Sequence, residues 1–388
     1  MHLGIALPAT GLLVARALSN KSLTNAGVVV AAITALAHAY HPWNTPFALL
    51  CVFFLAGTRV THIKEDVKKT LTLSSKGASG GEGPRTHVQV LANSLVASIL
   101  TVLHARQLYA RQDAVRSLEP HLSDSFRCYA WRGDLLYVGI IANYAAVAAD
   151  TFSSELGILS KGEPRLITSW TLRKVPRGTN GGVSLVGLLA GLFGSMVIVT
   201  TAIAFTPMCT DQYADKSGAG SSWTTEQKRT AMTFLVIWGA LGSVLDSVLG
   251  GLFQSSVKDV RSGKIVEGEG GNRVLVTSTD CKTSHPSQTG ISYAEAAAVH
   301  NTEEKKKAKQ NMQATAVDEK DDESSKAKLE THLHQNWGDE RPSRIAVNGM
   351  DVLDNNDVNF IMAVTMSVGA MFVASWYWGI PIQTVMSP

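Results

Sequence analysis

Apolar runs broken by short polar connections recur along the 388-residue chain. A helix that crosses a bilayer needs about 20 predominantly apolar residues, fewer where it packs tightly or its flanks snorkel. About eight stretches meet that criterion: 3–18, 26–41, 43–58, 87–105, 135–151, 183–206, 231–253 and 358–379. The first three are short, and the second and third form a tight hairpin around Pro42. Trp43, Trp223, Trp376, Tyr377 and Trp378 fall near run ends, where interfacial aromatics concentrate. The pattern predicts an all-α, polytopic helical membrane bundle. Residues 1–254 carry its first seven helices and 346–388 complete it with the last. Between them lies a charged insert, 255–345, whose Glu303–Lys328 stretch has too few large apolar residues to fold alone. It is expected to be a disordered cytosolic segment.

The run Leu3–Leu18 has no basic region before it and is followed by Arg16 and Lys21, so it reads as a retained membrane helix. Basic residues are dense in the first, third, fifth and seventh connections, which places the odd-numbered connections in the cytosol. The fourth opposes that assignment with Arg106, Arg111, Arg116, Arg127 and Arg132. Mean hydropathy is only +0.08 because the insert dilutes the apolar remainder. A net charge of +3 gives no case for nucleic-acid binding. Cys51, Cys128, Cys209 and Cys281 lack CxxC or CxxH spacing, so free thiols are expected, not a disulfide framework or a zinc site.

Polar chemistry collects at the ends of the apolar runs. Asp150 closes one run, Glu155 follows it, Asp246 lies inside another, and Asp357 opens the last. Carboxylates near bilayer depth cost several kcal/mol unless paired, hydrated or bound to a cation. Lys21-Ser22, Lys64, Arg165, Lys174 and the loop Arg177-Gly178-Thr179-Asn180-Gly181-Gly182 belong to the same odd-numbered connections, and Asn355-Asn356-Asp357 enters the final run. A glycine loop ahead of a helix near Val183 offers backbone N–H groups and a helix dipole to phosphate. It has no GxxxxGK[ST] pattern and is not a Walker A loop. Asp150, Glu155 and Asp246 are hard oxygen donors suited to Mg²⁺. Small-residue stripes such as Gly239, Ser243, Ser247 and Gly251 read as helix-packing surfaces.

The ordered series Lys21–Thr24, Ala149-Asp150-Thr151 with Ser154-Glu155, Pro164–Thr168, Val175–Ser184, Gly242-Ser243 with Asp246-Ser247, and Leu353–Asn359 resembles the transmembrane protein 19 family. That family includes the plant phytyl-phosphate kinase. The resemblance spans most of positions 20–378 outside the insert, which is longer and more charged than the family pattern. It implies a kinase that moves a phosphoryl group from a nucleoside triphosphate, plausibly CTP, to a lipid-linked phosphate such as an isoprenyl or phytyl monophosphate. Asp150, Glu155 and Asp246 would then hold Mg²⁺. Lys21, Ser22, Lys64, Arg165, Lys174, Arg177 and Gly178–Gly182 would hold phosphates, and Asn355, Asn356 and Asp357 would orient the nucleotide or a metal-bound water. The plastid-targeting segment of the plant members is not visible, so an endomembrane such as the endoplasmic reticulum is expected. A transporter with intramembrane carboxylates and a non-catalytic membrane scaffold are the competing readings.

Overall fold

Each apolar run folds as a helix, and local chemistry sets most of the ends. In the computed structural model these helices are α1 (Leu3–Ser19), α2 (Asn25–Ala39), α3 (Thr45–Thr61), α5 (His87–Leu118), α6 (Leu135–Gly157), α7 (Leu185–Phe205), α8 (Thr225–Phe253) and α9 (Asn355–Trp378). A short polar helix, α4 (Glu65–Leu71), leaves α3 at a 66° bend through the left-handed residue Lys64. The structure describes residues 3–75, 80, 83–118, 128–210, 221–274 and 343–386.

Helices α5 to α9 are long and apolar enough to cross a membrane; α1 and α2 are shorter. The 21 residues of α7 rise about 31 Å, the thickness of a hydrocarbon core. Thr24 caps α2, Ser184 caps α7, and Thr224 with Gln227 forms a capping box on α8. Gly379 takes the left-handed conformation that stops α9.

Helix α6 is the axis of the bundle. Every residue from Leu135 to Ala149 is buried, which explains why its sequence is apolar all round. Close approach of α7 and α8 needs small residues. A Cβ added to Gly191 would lie 3.1 Å from the Ala149 carbonyl oxygen, and one on Gly242 would lie 2.5 Å from the Ala146 Cβ. The outer side of α7 exposes Leu185, Leu188, Leu189, Leu192 and Phe193, as lipid contact requires.

The insert is ordered at both ends, contrary to the expectation for 255–345. Strands β4 (Ser256–Asp259), β5 (Ile265–Glu267) and β6 (Arg344–Asn348) join β1 (Leu73–Ser74) in a sheet of order β1-β5-β4-β6. Val257, Ile265 and Val266 are buried; Ile265 and Val266 are consecutive in β5 and so face opposite sides of the sheet. The expected disorder of Glu303–Lys328 lies outside the described residues. A second, two-stranded sheet pairs β2 (Arg165–Leu166) with β3 (Gly182–Val183).

The even-numbered connections gather at the other end of the bundle. Cys128 and Cys209 form a disulfide there, which corrects the expectation of free thiols at these two positions; Cys51 is free. The bond joins residues 81 apart, so no local spacing could announce it. The bond ties the fourth connection to the sixth.

Candidate functional site

A cavity of about 880 Å³ opens at the end of the bundle formed by the odd-numbered connections. Its wall comes from the α1–α2 turn, the α3–α4 corner, the end of α6, the loop before β3, the end of α8, the four-stranded sheet and the start of α9. Distant sequence segments thus converge, as the positive-inside reading requires.

Two carboxylates mark its floor. Asp150 from α6 and Asp246 from α8 both line the cavity, and their carboxyl groups lie within hydrogen-bonding reach of each other. The second oxygen of Asp246, Oδ1, is buried and meets no hydrogen-bond partner. A buried acceptor left bare costs free energy unless a ligand or ion completes it.

Glu155 does not join this pair. Five residues along a helix turn the side chain by about 140°, away from Asp150. Its carboxylate is ion-paired with Lys68 of α4 instead. Lys68 also donates to the carbonyls of Val60 (3.2 Å) and Thr61 (2.5 Å), closing the C-terminal end of α3. Among the described residues no three His, Cys, Asp or Glu side chains cluster as a metal cage. The expected set of three carboxylate ligands is therefore reduced to two. Two carboxylates with an open oxygen still suit Mg²⁺, which keeps waters and is commonly completed by substrate phosphates.

The glycine loop lies on the wall, with Gly178 (φ +83°) and Gly181 (φ +78°) in conformations that favour glycine. A Cβ on Gly181 would sit 2.6 Å from Gly251 Cα, so α8 itself forbids a side chain there. The loop is not a bare cradle. Asn180 donates its amide to Ser256 Oγ (3.0 Å), Gly182 to the Thr179 carbonyl (2.9 Å) and Thr179 to the Pro176 carbonyl (3.3 Å). Among the described residues the amides of Gly178 and Gly181 have no protein acceptor and stay available. The helix expected near Val183 begins at Leu185, just past strand β3, and Ser184 Oγ already accepts the Gly187 amide at 3.1 Å.

Of the other expected residues, Lys21, Ser22, Arg177 and Asn355 line the cavity. Lys64, Arg165 and Lys174 do not. Lys64 occupies the outer corner between α3 and α4 with its side chain exposed. Arg165 donates to the Leu172 carbonyl (3.2 Å), and Lys174 pairs with Glu163 (3.5 Å) on the exposed surface. Asn356 and Asp357 do not line the cavity. Asn356 is buried, donates to the Gly270 carbonyl (3.1 Å) and leaves its Oδ1 without a partner among the described residues. Asp357 forms a reciprocal capping box with Asp354, accepting at 3.1 Å and donating its amide at 2.9 Å.

The sequence reading passed over two parts of the wall. Arg85 lines the cavity and donates to Thr61 Oγ1 at 3.0 Å. The segment Gly268–Arg273 lines it beside the sheet, held in place by Arg273, which donates to the Asp351 carbonyl (3.0 Å) and to the Val352 carbonyl. Arg85, Gln89 and Asn93 stand four residues apart at the start of an apolar run, a helical spacing that signals the first part; nothing in the insert's composition points to the second.

The integral membrane protein family DUF92 matches residues 8–367. Protein PGR of Arabidopsis thaliana is 32% identical over 256 residues, which cover 61% of this chain and 80% of that protein. An uncharacterized membrane protein of Methanocaldococcus jannaschii is 30% identical over 179 residues, 46% of this chain and 61% of that protein. The chloroplastic protein VTE6 of Arabidopsis thaliana is 27% identical over 154 residues, 40% of this chain and 39% of that protein. A chloroplastic relative removes the ground for preferring an endomembrane over a plastid. No solved structure matches the chain.

Proposed function

Because the chain belongs to the DUF92 family of integral membrane proteins, we propose that it is a membrane phosphotransferase acting on an isoprenyl or phytyl monophosphate. The observation that carries this reading is the Asp150–Asp246 pair, with its open oxygen, in one cavity with the Gly178–Gly182 loop and with basic side chains that have no acidic partner among the described residues. The resemblance to the family of the plant phytyl-phosphate kinase supplies the acceptor class and the preference for CTP.

The chemistry asks for positioning and charge neutralisation, with little covalent work for the protein. An oxygen of the lipid monophosphate would attack the terminal phosphorus of the nucleoside triphosphate. A new P–O bond forms, the bond to the β-phosphate oxygen breaks, and lipid diphosphate and nucleoside diphosphate leave. The acceptor oxygen is already anionic near neutral pH, so the step needs no general base. Asp150 and Asp246 would hold Mg²⁺, which would supply positive charge to neutralise the phosphates. The amides of Gly178 and Gly181 and the Arg177 guanidinium would bind the triphosphate. Lys68 and Glu155 would keep the α3–α4 corner in place through their ion pair. The insert's ordered ends would close the cavity from the aqueous side and exclude water, which competes as acceptor.

The test uses the full chain purified in detergent, with prenyl monophosphates, each nucleoside triphosphate in turn, and Mg²⁺. Lipid diphosphate is the expected product, formed best with CTP and lost in Asp150→Asn and Asp246→Asn. Ion flux through liposomes with no diphosphate formed from any nucleotide would replace the kinase by a transporter.

A further inference from the structure

The cavity's cations differ in what they already hold. Lys68 is ion-paired with Glu155, Lys69 with Glu65 at 2.7 Å, and Arg273 is bound to Asp351 and its neighbours. Lys21, Arg177 and Arg85 have no acidic partner among the described residues, and Arg177 donates to the Lys161 carbonyl at 3.0 Å. The Arg85 guanidinium is half-buried on the cavity wall, and its one side-chain partner among the described residues is the neutral Thr61 hydroxyl. A guanidinium has five N–H donors, so most of this one's capacity remains open toward the cavity.

The backbone of Arg85 is fixed from both sides. Its amide donates to the Ser22 carbonyl and its carbonyl accepts from the Thr24 amide, each at 3.0 Å, so the residue is stitched to the α1–α2 turn. The guanidinium packs beside Gly57. A Cβ there would lie 3.7 Å from Arg85 Nη1 and 3.8 Å from the methyl of Thr151, the residue after Asp150.

The two ends of the cavity also differ in polarity. Beside Arg85, the wall includes Leu23 and Phe54, which belong to an apolar cluster with Val14, Val28 and Val90 of the membrane helices. At the other end, the glycine loop lies under the sheet, with Gly178 against Ile265 and Gly181 against α8. One end therefore joins an open cation to bilayer-embedded hydrocarbon, and the other joins backbone amides to the aqueous sheet.

We propose that Arg85, with Thr61, receives the phosphate of the lipid substrate, while the glycine-loop end takes the nucleotide. An anion held by Arg85 can keep a prenyl chain along Leu23 and Phe54 without drawing it through polar surroundings. A bidentate guanidinium contact is the strong form of phosphate recognition. This assignment rests on the phosphotransferase reading for its second substrate, but the lipid-phosphate site stands apart from turnover.

Two measurements separate them. With both substrates varied, Arg85→Gln is expected to raise KM for prenyl monophosphate by roughly tenfold or more, leaving KM for the nucleotide within about twofold. Arg85→Lys and Thr61→Val should show smaller shifts in the same direction, and Arg177→Gln the reverse split. An increase confined to the nucleotide KM in Arg85→Gln, or no change in either KM, overturns the assignment. Without nucleotide, prenyl monophosphate should raise the unfolding temperature of the wild-type chain in detergent, and prenyl alcohol and inorganic phosphate should do so less. That shift should shrink in Arg85→Gln and Thr61→Val. If it appears with no turnover from any nucleotide, the kinase reading falls and the lipid-phosphate site remains. Should inorganic phosphate match the prenyl compound, Arg85 binds a free anion and the lipid assignment falls.

Discussion

The two ends of this bundle solve the same problem in opposite ways. At the disulfide end, the charged and imidazole groups answer one another, although the buried indole N–H groups of Trp43 and Trp378 meet no partner among the described residues. His41 Nε2 meets His104 Nδ1 at 2.9 Å, His104 Nε2 meets Asp134 at 3.0 Å, and Asp134 meets Arg111 at 2.5 Å. Around them Trp43, Tyr129, Tyr137, Trp131 and Trp223 pack edge to face. The Cys128–Cys209 bond closes the arrangement. At the cavity end, Asp246 Oδ1 is bare and Arg85 has no acidic partner among the described residues. Under the proposed function, the open carboxylate and guanidinium on one wall are what substrate and metal would complete.

Substitutions should separate these roles. The largest effect is expected at the cavity floor. Asp246→Asn or Asp150→Asn should cut lipid diphosphate formation by about 100-fold or more. The unfolding temperature in detergent should hold or rise, because the amide removes a carboxyl group from a buried pair. Loss of fold alongside loss of product would make the pair structural and break the contrast. Next, Cys128→Ser with Cys209→Ser should cost about 2–4 kcal/mol in unfolding experiments, with prenyl monophosphate still shifting the melting curve. A smaller cost is expected for Glu155→Gln, on the order of 1–2 kcal/mol, because it strands Lys68 in an ion pair only partly shielded from water. Chemical unfolding of the variant beside the wild type would measure it.

The smallest effect concerns pH. Burial alone would raise the Asp134 carboxyl, but hydrogen bonds and charge from His104 and Arg111 more than reverse this and hold it well below its ordinary 3.8. A carboxyl depressed on folding contributes stability that is full above about pH 4 and is lost as pH falls toward its folded value. Asp134→Asn should therefore lower stability at pH 6, by on the order of 1 kcal/mol, and flatten its decline below pH 4. An unchanged acid limb in that variant would remove Asp134 from the partnered network.

Much of this was legible in the chain because hydrophobic periodicity is a local signal. All eight apolar runs are helices, and Asp150, Asp246, Arg177 and Gly178–Gly182 share one cavity. What stayed hidden depends on direction and on distance. Asp150 and Glu155 look like neighbours in sequence, yet the helix turns them apart. The motif Asp354–Asp357 looks catalytic because acids and amides cluster in it, yet two of its members close a helix end. The disulfide and strand β6 need partners far along the chain, which no spacing rule reveals. The open donors of Arg85 depend on its neighbours in space, which its spacing from Gln89 and Asn93 does not reveal.

The strands that begin and end the long charged segment carry a practical consequence. Chain leaves after β5 and the Arg273 clasp and returns as β6, which hydrogen-bonds to β4, itself the neighbour of β5. Exit and re-entry are thus fastened to one scaffold, and loop length enters the free energy only logarithmically. A fluorescent reporter spliced between positions 275 and 342 should leave the transmembrane packing as it is, while responding to whatever enters beneath that scaffold.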